Sequence, residues 1–167
     1  DKVSYNDDWH LSVIDDLDGV SLERIDPNGN SNDAFNWHSA AQDIGFGTPG
    51  IKNSQFISAI YSGDFSFTSP TFSPDNDGFE DVLQVSYMLE KTGLLGHVQI
   101  FDNMGRPIKD LFQNQLLGST GTFTWDGMNN SGQKSPIGAY VMVFEAFSTD
   151  GSVFFTKVKA FTLAGKI

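Results

Sequence analysis

Three aspartates in one short loop are the strongest candidates for a binding site in this sequence. Asp75, Asp77 and Asp81 lie within the segment SPDNDGFED, and Gly78 between them permits a sharp bend of the backbone. Calcium prefers several oxygen ligands in a flexible shell, so three carboxylates at this spacing predict a calcium site. The full EF-hand pattern is absent, because Gln84 stands where that pattern requires a glutamate.

The same aspartates allow a purely structural interpretation. Aspartate and asparagine side chains accept hydrogen bonds from nearby backbone amides in turns, and such turns often precede a strand. The sequence therefore leaves two alternatives open. The loop is either a calcium site or an Asx-rich turn that caps the strand following Asp81.

The sequence contains no recognisable catalytic constellation. His38, Ser39 and Asp43 supply the residue types of a Ser–His–Asp triad, but no G-x-S-x-G nucleophile elbow is present. The chain has no Walker loop and no H-E-x-x-H motif, and its histidines are too scattered for a metal site. We therefore predict that the chain is not an enzyme.

Charge and composition argue against several classes of partner. The chain has ten basic and twenty-one acidic residues, and this formal net charge of −11 is unsuited to binding phosphates. We expect no nucleic-acid binding, and no direct membrane insertion, since no apolar run is long enough to span a bilayer. The absence of cysteine excludes disulfides, while a hydrophobic fraction of 39% suffices for a packed core.

The elements that must position the acidic loop are β-strands. Apolar and polar residues alternate in residues 82–90, and further strands are predicted in 97–102, 108–112, 122–125, 139–147 and 153–163. The dipeptide Asp150-Gly151 predicts a hairpin turn between the last two. This pattern is typical of an all-β, Ig-like antiparallel sandwich. We expect its core to contain Tyr87, Val98, Ile100, Trp125, Phe144 and Val158.

Residues 1–55 have a different character. Two strands are predicted there, Trp9–Ile14 and Val20–Ile25, but the rest of the segment is rich in Asn, Ser, Gly and Pro. Such a small sheet cannot enclose a core, so we predict a second, truncated sandwich whose other strands precede Asp1. The predicted domains are residues 1–55 (truncated sandwich), 56–64 (linker) and 65–167 (complete sandwich).

The segment Ser21–Gln55 resembles the C-terminal half of bacterial lamin-tail domains. The shared motifs are S-L-E-R at its start, N-W-H-S in its middle and G-T-P-G-x-x-N-S at its end. Lamin-tail domains are Ig-like sandwiches, so the resemblance implies that the missing half of this domain lies upstream.

Residues 65–167 resemble the Ig-like domain of flagellar hook-capping (FlgD-like) proteins. They are also similar to the C-terminal domains of type IX secretion cargo in gliding and related Gram-negative bacteria. The matching motifs are F-S-P-D-N-D-G-F-E-D from Phe72, V-Q-I-F-D-N-M-G-R from Val98, W-D-G from Trp125 and P-I-G-A-Y-V from Pro136. The resemblance implies a secreted or cell-surface protein that crosses the periplasm and outer membrane. Its implied partners are the type IX translocon and an outer-membrane shuttle protein of the PorV type.

Three functions are compatible with these resemblances. The first is a C-terminal export and anchoring signal, which the position of residues 65–167 favours. The second is a spacer or binding module of a surface adhesin. The third is an accessory region of a secreted nuclease or phosphatase, since lamin-tail domains are often fused to such enzymes.

Overall fold

The computed structural model describes residues 2–56, 63–149 and 153–165 of the chain. Within these ranges ten strands form sheets of two, three and five strands, so the all-β prediction is confirmed. The predicted turn at Asp150-Gly151 and most of the predicted linker, residues 57–62, lie outside the described residues.

Two of the sheets face each other as a sandwich. The smaller sheet has the order β3-β5-β8, with β3 at Asp64–Phe67, β5 at Leu83–Met88 and β8 at Thr120–Trp125. The larger has the order β4-β10-β9-β6-β7, with β4 at Thr71–Phe72, β6 at Leu95–Asp102, β7 at Pro107–Leu116, β9 at Gly138–Phe147 and β10 at Val153–Leu163. The pairing of β4 with β10 is parallel, and the other strand pairs are antiparallel.

An aromatic core fills the space between the two sheets. The indole of Trp125 packs against Phe72 and Phe161, with ring centroids 5.4 and 5.6 Å apart, and its Nε1 donates to the Met128 carbonyl at 2.8 Å. Edge-to-face packing of this kind adds to the stabilisation that burial of the rings provides. The predicted burial is confirmed for five residues: Tyr87, Val98, Ile100, Trp125 and Phe144.

The prediction that Val158 is buried is wrong. Its side chain is 59% exposed, whereas Phe161 and Leu163 on the same strand are buried. Successive residues of a strand face opposite sides of the sheet, so an odd-numbered inward set places Val158 on the outer face. The local apolar pattern of β10 identified a strand without showing which face turns inward.

Two further strand predictions differ from the structure. The predicted strand Trp9–Ile14 is wrong: a 3₁₀ helix ends at Trp9, and the Ile14 amide donates to the Leu11 carbonyl in a turn. The Leu11 amide donates to Ser39 Oγ at 3.0 Å, so these amides serve local and side-chain bonds rather than a ladder. Strand β7 extends well beyond the predicted residues 108–112.

The front segment contains one short antiparallel pair. Strand β1, Leu22–Arg24, lies within the predicted Val20–Ile25, and it pairs with β2 at Trp37–Ser39, which was not predicted. Two further 3₁₀ helices span Ala34–Asn36 and Gln42–Ile44. The division of the chain into the three predicted domains stays a prediction.

Candidate functional site

The acidic loop connects β4 to β5 at one end of the sandwich. Carboxylate oxygens of Asp75, Asp77 and Asp81 all lie within 4.8 Å of one another. The loop is closed at its base by the Ser73 amide, which donates to the Glu80 carbonyl at 2.9 Å. The structure therefore brings the three residues selected from sequence into one cluster.

Each of these carboxylates accepts hydrogen bonds from the loop backbone. Asp81 accepts from the amides of Asn76 at 2.6 Å and Gly78 at 2.8 Å, and Asp77 accepts from the Phe79 amide at 2.9 Å. Gly78 has a φ of 88°, a region that glycine enters without strain. The loop is thus shaped by its own side chains, as the Asx-turn alternative requires.

The cluster is also suited to a hard cation. Carboxylate oxygens have several lone pairs, so a bond from an amide leaves room for a metal ligand on the same group. Asp77 is exposed, whereas Asp75 and Asp81 are half-buried. Both alternatives fit the same geometry, and the calcium site stays a prediction.

The histidine, serine and aspartate of the front segment do not assemble into a triad. The Ser39 hydroxyl lies 3.0 Å from His10 Nδ1 rather than beside the imidazole of His38. The carboxylate of Asp43 accepts a hydrogen bond from the Tyr87 hydroxyl at 3.2 Å. Burial raises the pKa of Asp43, and burial together with this carboxylate raises the pKa of Tyr87. The bond between Asp43 and Tyr87 therefore joins the front segment to the sandwich.

A buried glutamine, Gln55, also joins the front segment to the sandwich, and sequence analysis missed it. Its side chain is fully buried, donating to the Leu117 carbonyl at 3.3 Å and accepting from the Gly93 amide at 3.2 Å. Nearby, the Ser119 amide donates to the Ser54 carbonyl at 2.7 Å. No local pattern marks a lone glutamine as buried, because such burial requires partners far away in the chain.

The buried carboxylate of Glu23 organises the end of the front segment. It accepts hydrogen bonds from the Thr48 hydroxyl, from Ser54 Oγ at 2.6 Å and from the Gln55 amide at 3.1 Å. A buried charge is tolerated only when it is well hydrogen-bonded, and these three donors meet that need. Glu23 therefore fixes the backbone that presents Gln55 to the sandwich.

Strand β10 lies near one side of the large sheet and is only partly covered. It pairs with β9 along its length, but β4 pairs only with Thr162 and Leu163 at its end. Upstream of Thr162, no other described residue pairs with that edge of β10. Strand edges of this kind can accept a further strand.

One lysine of β10 connects the two sheets across the open side of the sandwich. Lys159 Nζ lies 3.0 Å from Asp64 Oδ1 and donates to the Phe65 carbonyl, and it also lies over the Phe65 ring. The hydrogen bond that Lys159 donates to the Asp64 carboxylate is the largest cause of the lowered pKa of Asp64. Lys159 therefore covers part of the edge of β3, while no residue in the described ranges pairs with the edge of β10 before Thr162.

The structure contains no helix that is long and apolar enough to cross a membrane, within the described ranges. No curated protein matches the chain. Among solved structures, it is similar to FlgD from Pseudomonas aeruginosa, with 20% identity, a TM-score of 0.42, and coverage of 64% of this chain and 78% of that one.

Two proteins from Porphyromonas gingivalis are also similar in structure. Latent PorU from Porphyromonas gingivalis has 17% identity and a TM-score of 0.47, and 66% of this chain corresponds to 10% of PorU. For PorZ, a surface component of the type IX system of the same organism, the values are 17% and 0.36, with coverage of 60% and 11%. The chain thus spans a small part of the length of PorU and PorZ.

The model of one protein family matches residues 66–156, from β3 into β10. This region is more than half of the 167-residue chain and contains the acidic loop and most of both sandwich sheets. The predicted resemblance of this region to type IX cargo domains is confirmed, whereas the lamin-tail resemblance of the front segment stays a prediction. The chain therefore belongs to the CHU_C type IX secretion signal domain family.

Proposed function

We propose that residues 65–167 are recognised in folded form by the type IX translocon and its outer-membrane shuttle protein, of the PorV type. The domain would carry the segment before it, as part of a lamin-tail domain, across the outer membrane. The signal domain itself performs no catalysis in this proposal. It acts by presenting a surface to the transport machinery.

The match of residues 66–156 to the type IX secretion signal family carries this proposal. A chain with such a signal interacts with the type IX machinery, and the protein is secreted or displayed at the cell surface. The packed core supports recognition of a folded domain, because a sandwich of this kind has few accessible linear features. What it offers a partner is its loops and its strand edges.

Export of a reporter tests the proposal. The whole 167-residue chain is fused behind a signal peptide and a fluorescent protein, in a host with a type IX system. We expect the reporter at the cell surface or in the medium, and in the periplasm when the translocon or the PorV-type shuttle is deleted. A matched control carries residues 1–56 alone and should remain periplasmic. Periplasmic retention of the whole-chain fusion, while a known cargo domain is exported, would refute the proposal.

One observation favours the second function, a binding module on a surface adhesin. The front segment has a cavity of about 340 Å³ lined in part by Trp9, Phe35 and Trp37, and the Trp9 ring lies 6.3 Å from that of Trp37. The side chain of Phe35 in the same segment is 91% exposed. If this surface binds a ligand, Trp9→Ala and Phe35→Ala should weaken adhesion of displaying cells without reducing export. Unchanged adhesion in both variants would contradict the adhesin function.

A further inference from the structure

We propose that the open edge of β10 is the recognition surface of the signal domain, and that a β-strand of the secretion machinery adds to the large sheet there. This inference rests on the proposed function, since it names the surface that the machinery would contact. The β10 edge is defined here as the backbone of Thr156, Val158 and Ala160 with their outward-facing side chains.

The direction of the backbone groups follows from the end of the strand. The Thr162 amide donates to the Pro70 carbonyl at 2.8 Å, so it points away from β9 towards β4. In an antiparallel pair, alternate residues direct their amide and carbonyl to the same side. Thr156, Val158 and Ala160 therefore present these groups on the side where no described residue pairs with them.

Side chains beside the β10 edge form an apolar surface on the outer face of the sheet. Val158 is 59% exposed and lies opposite Val143 of β9. Ala160 lies opposite Val141, which in turn lies opposite Phe101 of β6. An exposed β-branched residue with apolar neighbours is the surface that a partner strand can cover as it pairs.

Two other strand edges of the sandwich are partly occupied. The edge of β7 is bonded by Asn130, whose amide donates to the Ile108 carbonyl and whose side chain accepts from the Asp110 amide. The 3₁₀ helix Gln42–Ile44 also contacts β7, and within it Asp43 reaches Tyr87. On the opposite side, Lys159 covers β3. The β10 edge is therefore a better-exposed template for an added strand than the edges of β7 and β3.

The backbone groups and charges of β10 indicate the kind of partner. A row of unpaired amides and carbonyls with a two-residue repeat is satisfied by another extended strand. β10 carries Lys157 and Lys159 and no acidic residue, in a chain of net charge −11. Lys159 is engaged by Asp64, whereas Lys157 is exposed. The partner strand is therefore expected to place a carboxylate beside Lys157.

The test uses the whole-chain reporter fusion with Val158→Pro. Proline removes the outward amide and is tolerated at an edge position whose N–H faces solvent, so the ladder with β9 remains. We expect about tenfold less exported reporter, the change that corresponds to one lost interaction of about 1.4 kcal/mol. The matched control Val158→Thr keeps the amide and the β-branched shape, and its export should stay within about twofold of the parent.

A second pair of variants guards against a folding defect in Val158→Pro. Lys157→Glu leaves the backbone unchanged and should also reduce export about tenfold, while Lys157→Arg should not. Thermal melts of the purified chains must show that the Lys157 variants remain folded. If the parent is exported and both Val158→Pro and Lys157→Glu are exported equally well, the β10 edge is not the recognition surface. If the parent itself is not exported, the proposed function fails instead.

A second copy of the chain is the competing occupant of the edge. Sedimentation of the parent chain and of Val158→Pro distinguishes the two cases. A parent dimer that Val158→Pro converts to monomer, with export unchanged, would overturn the inference in favour of self-association. A monomeric parent whose export is lost in both variants supports it.

Discussion

The carboxylates of the acidic loop hold their own backbone in shape. Asp81 bridges the amides of Asn76 and Gly78, which brings its oxygens close to those of Asp75 and Asp77. Three carboxylates so close repel one another unless amides or a cation offset their charge. Either the hydrogen bonds from the loop amides or a bound cation must therefore offset the repulsion among these carboxylates.

Calcium should stabilise the chain if the cluster binds it in the folded state only. We expect millimolar calcium to raise the Tm of metal-free protein by about 2–4 °C for each kcal/mol of linkage, and EDTA to reverse the change. Asp77→Ala should abolish the difference, because it removes one ligand of the shell. The matched control Asp126→Ala removes an exposed aspartate outside the cluster and should retain the calcium response.

A flat response to calcium in the parent chain would contradict the calcium prediction. The Asx turn would then be the better account of the loop. In that case Asp81→Ala should still lower the Tm in the absence of metal, since it removes the acceptor of two backbone amides.

His38 predicts a pH dependence of stability. Burial lowers the pKa of the His38 imidazole below its ordinary value of 6.5, so the imidazole is neutral in the folded chain at neutral pH. As the pH falls through that value, the unfolded chain takes up a proton before the folded one does, and the free energy of unfolding decreases. The lowered pKa of Asp64 belongs to a carboxylate that titrates at more acidic pH.

Thermal melts between about pH 7.5 and about pH 5.5 check this expectation. The Tm of the parent should fall over this window, and the fall should be smaller for His38→Gln, which cannot take up the proton. An equal fall in both proteins would show that other groups cause it.

Side chains and a 3₁₀ helix of the front segment contact the sandwich directly. Gln55 connects the end of the front segment to the Leu117 carbonyl and the Gly93 amide. The 3₁₀ helix Gln42–Ile44 lies against β7, and its Asp43 accepts a hydrogen bond from Tyr87 of β5. These contacts favour a fixed orientation of the front segment relative to the signal domain.

Gln55→Ala should destabilise the chain by about 1–3 kcal/mol, because it leaves a buried amide and a buried carbonyl without partners. In a chain of this size, each kcal/mol lowers the Tm by about 2–4 °C. Differential scanning calorimetry measures the change. The control Ile51→Ala alters a side chain that is 69% exposed, and its effect should stay within about 0.5 kcal/mol. Equal Tm values for Gln55→Ala and the parent would show that the contact is not important for stability.

For the molecule as a whole, the sandwich provides most of the buried apolar surface. The main hydrophobic cluster runs from Phe65 to Leu163 and contains no residue of the front segment. The front segment has only the pair β1–β2, and its buried Gln55 side chain depends on the sandwich for partners. Small isolated sheets of this kind are marginally stable in water.

Residues 1–55 should therefore not fold alone. Circular dichroism of the isolated peptide should show no cooperative thermal transition, while the 167-residue chain melts cooperatively under the same conditions. A sharp transition of the peptide would show that the front segment has a sufficient core of its own.

Much of the sandwich could be predicted from the sequence because the relevant signals are local. Period-two alternation in residues 82–90 identified β5 and its buried Tyr87. The Asp-rich motif located the loop between β4 and β5 and the residues that converge there. Order and spacing of motifs along the chain indicated the family, which the match to residues 66–156 confirms.

Tertiary structure decided what depends on partners distant in the chain. The inward face of β10 is set by its register with β9, and a shift of one residue separates the predicted from the observed side of Val158. Gln55 is buried because it bonds to the Leu117 carbonyl, 62 residues away in the chain. Lys159 bonds to the Phe65 carbonyl of β3, 94 residues away. Among the described residues, the edge of β10 before Thr162 is unpaired because β4 pairs only with Thr162 and Leu163. Local patterns specify which segments become strands, but burial and free edges follow from how those segments pair.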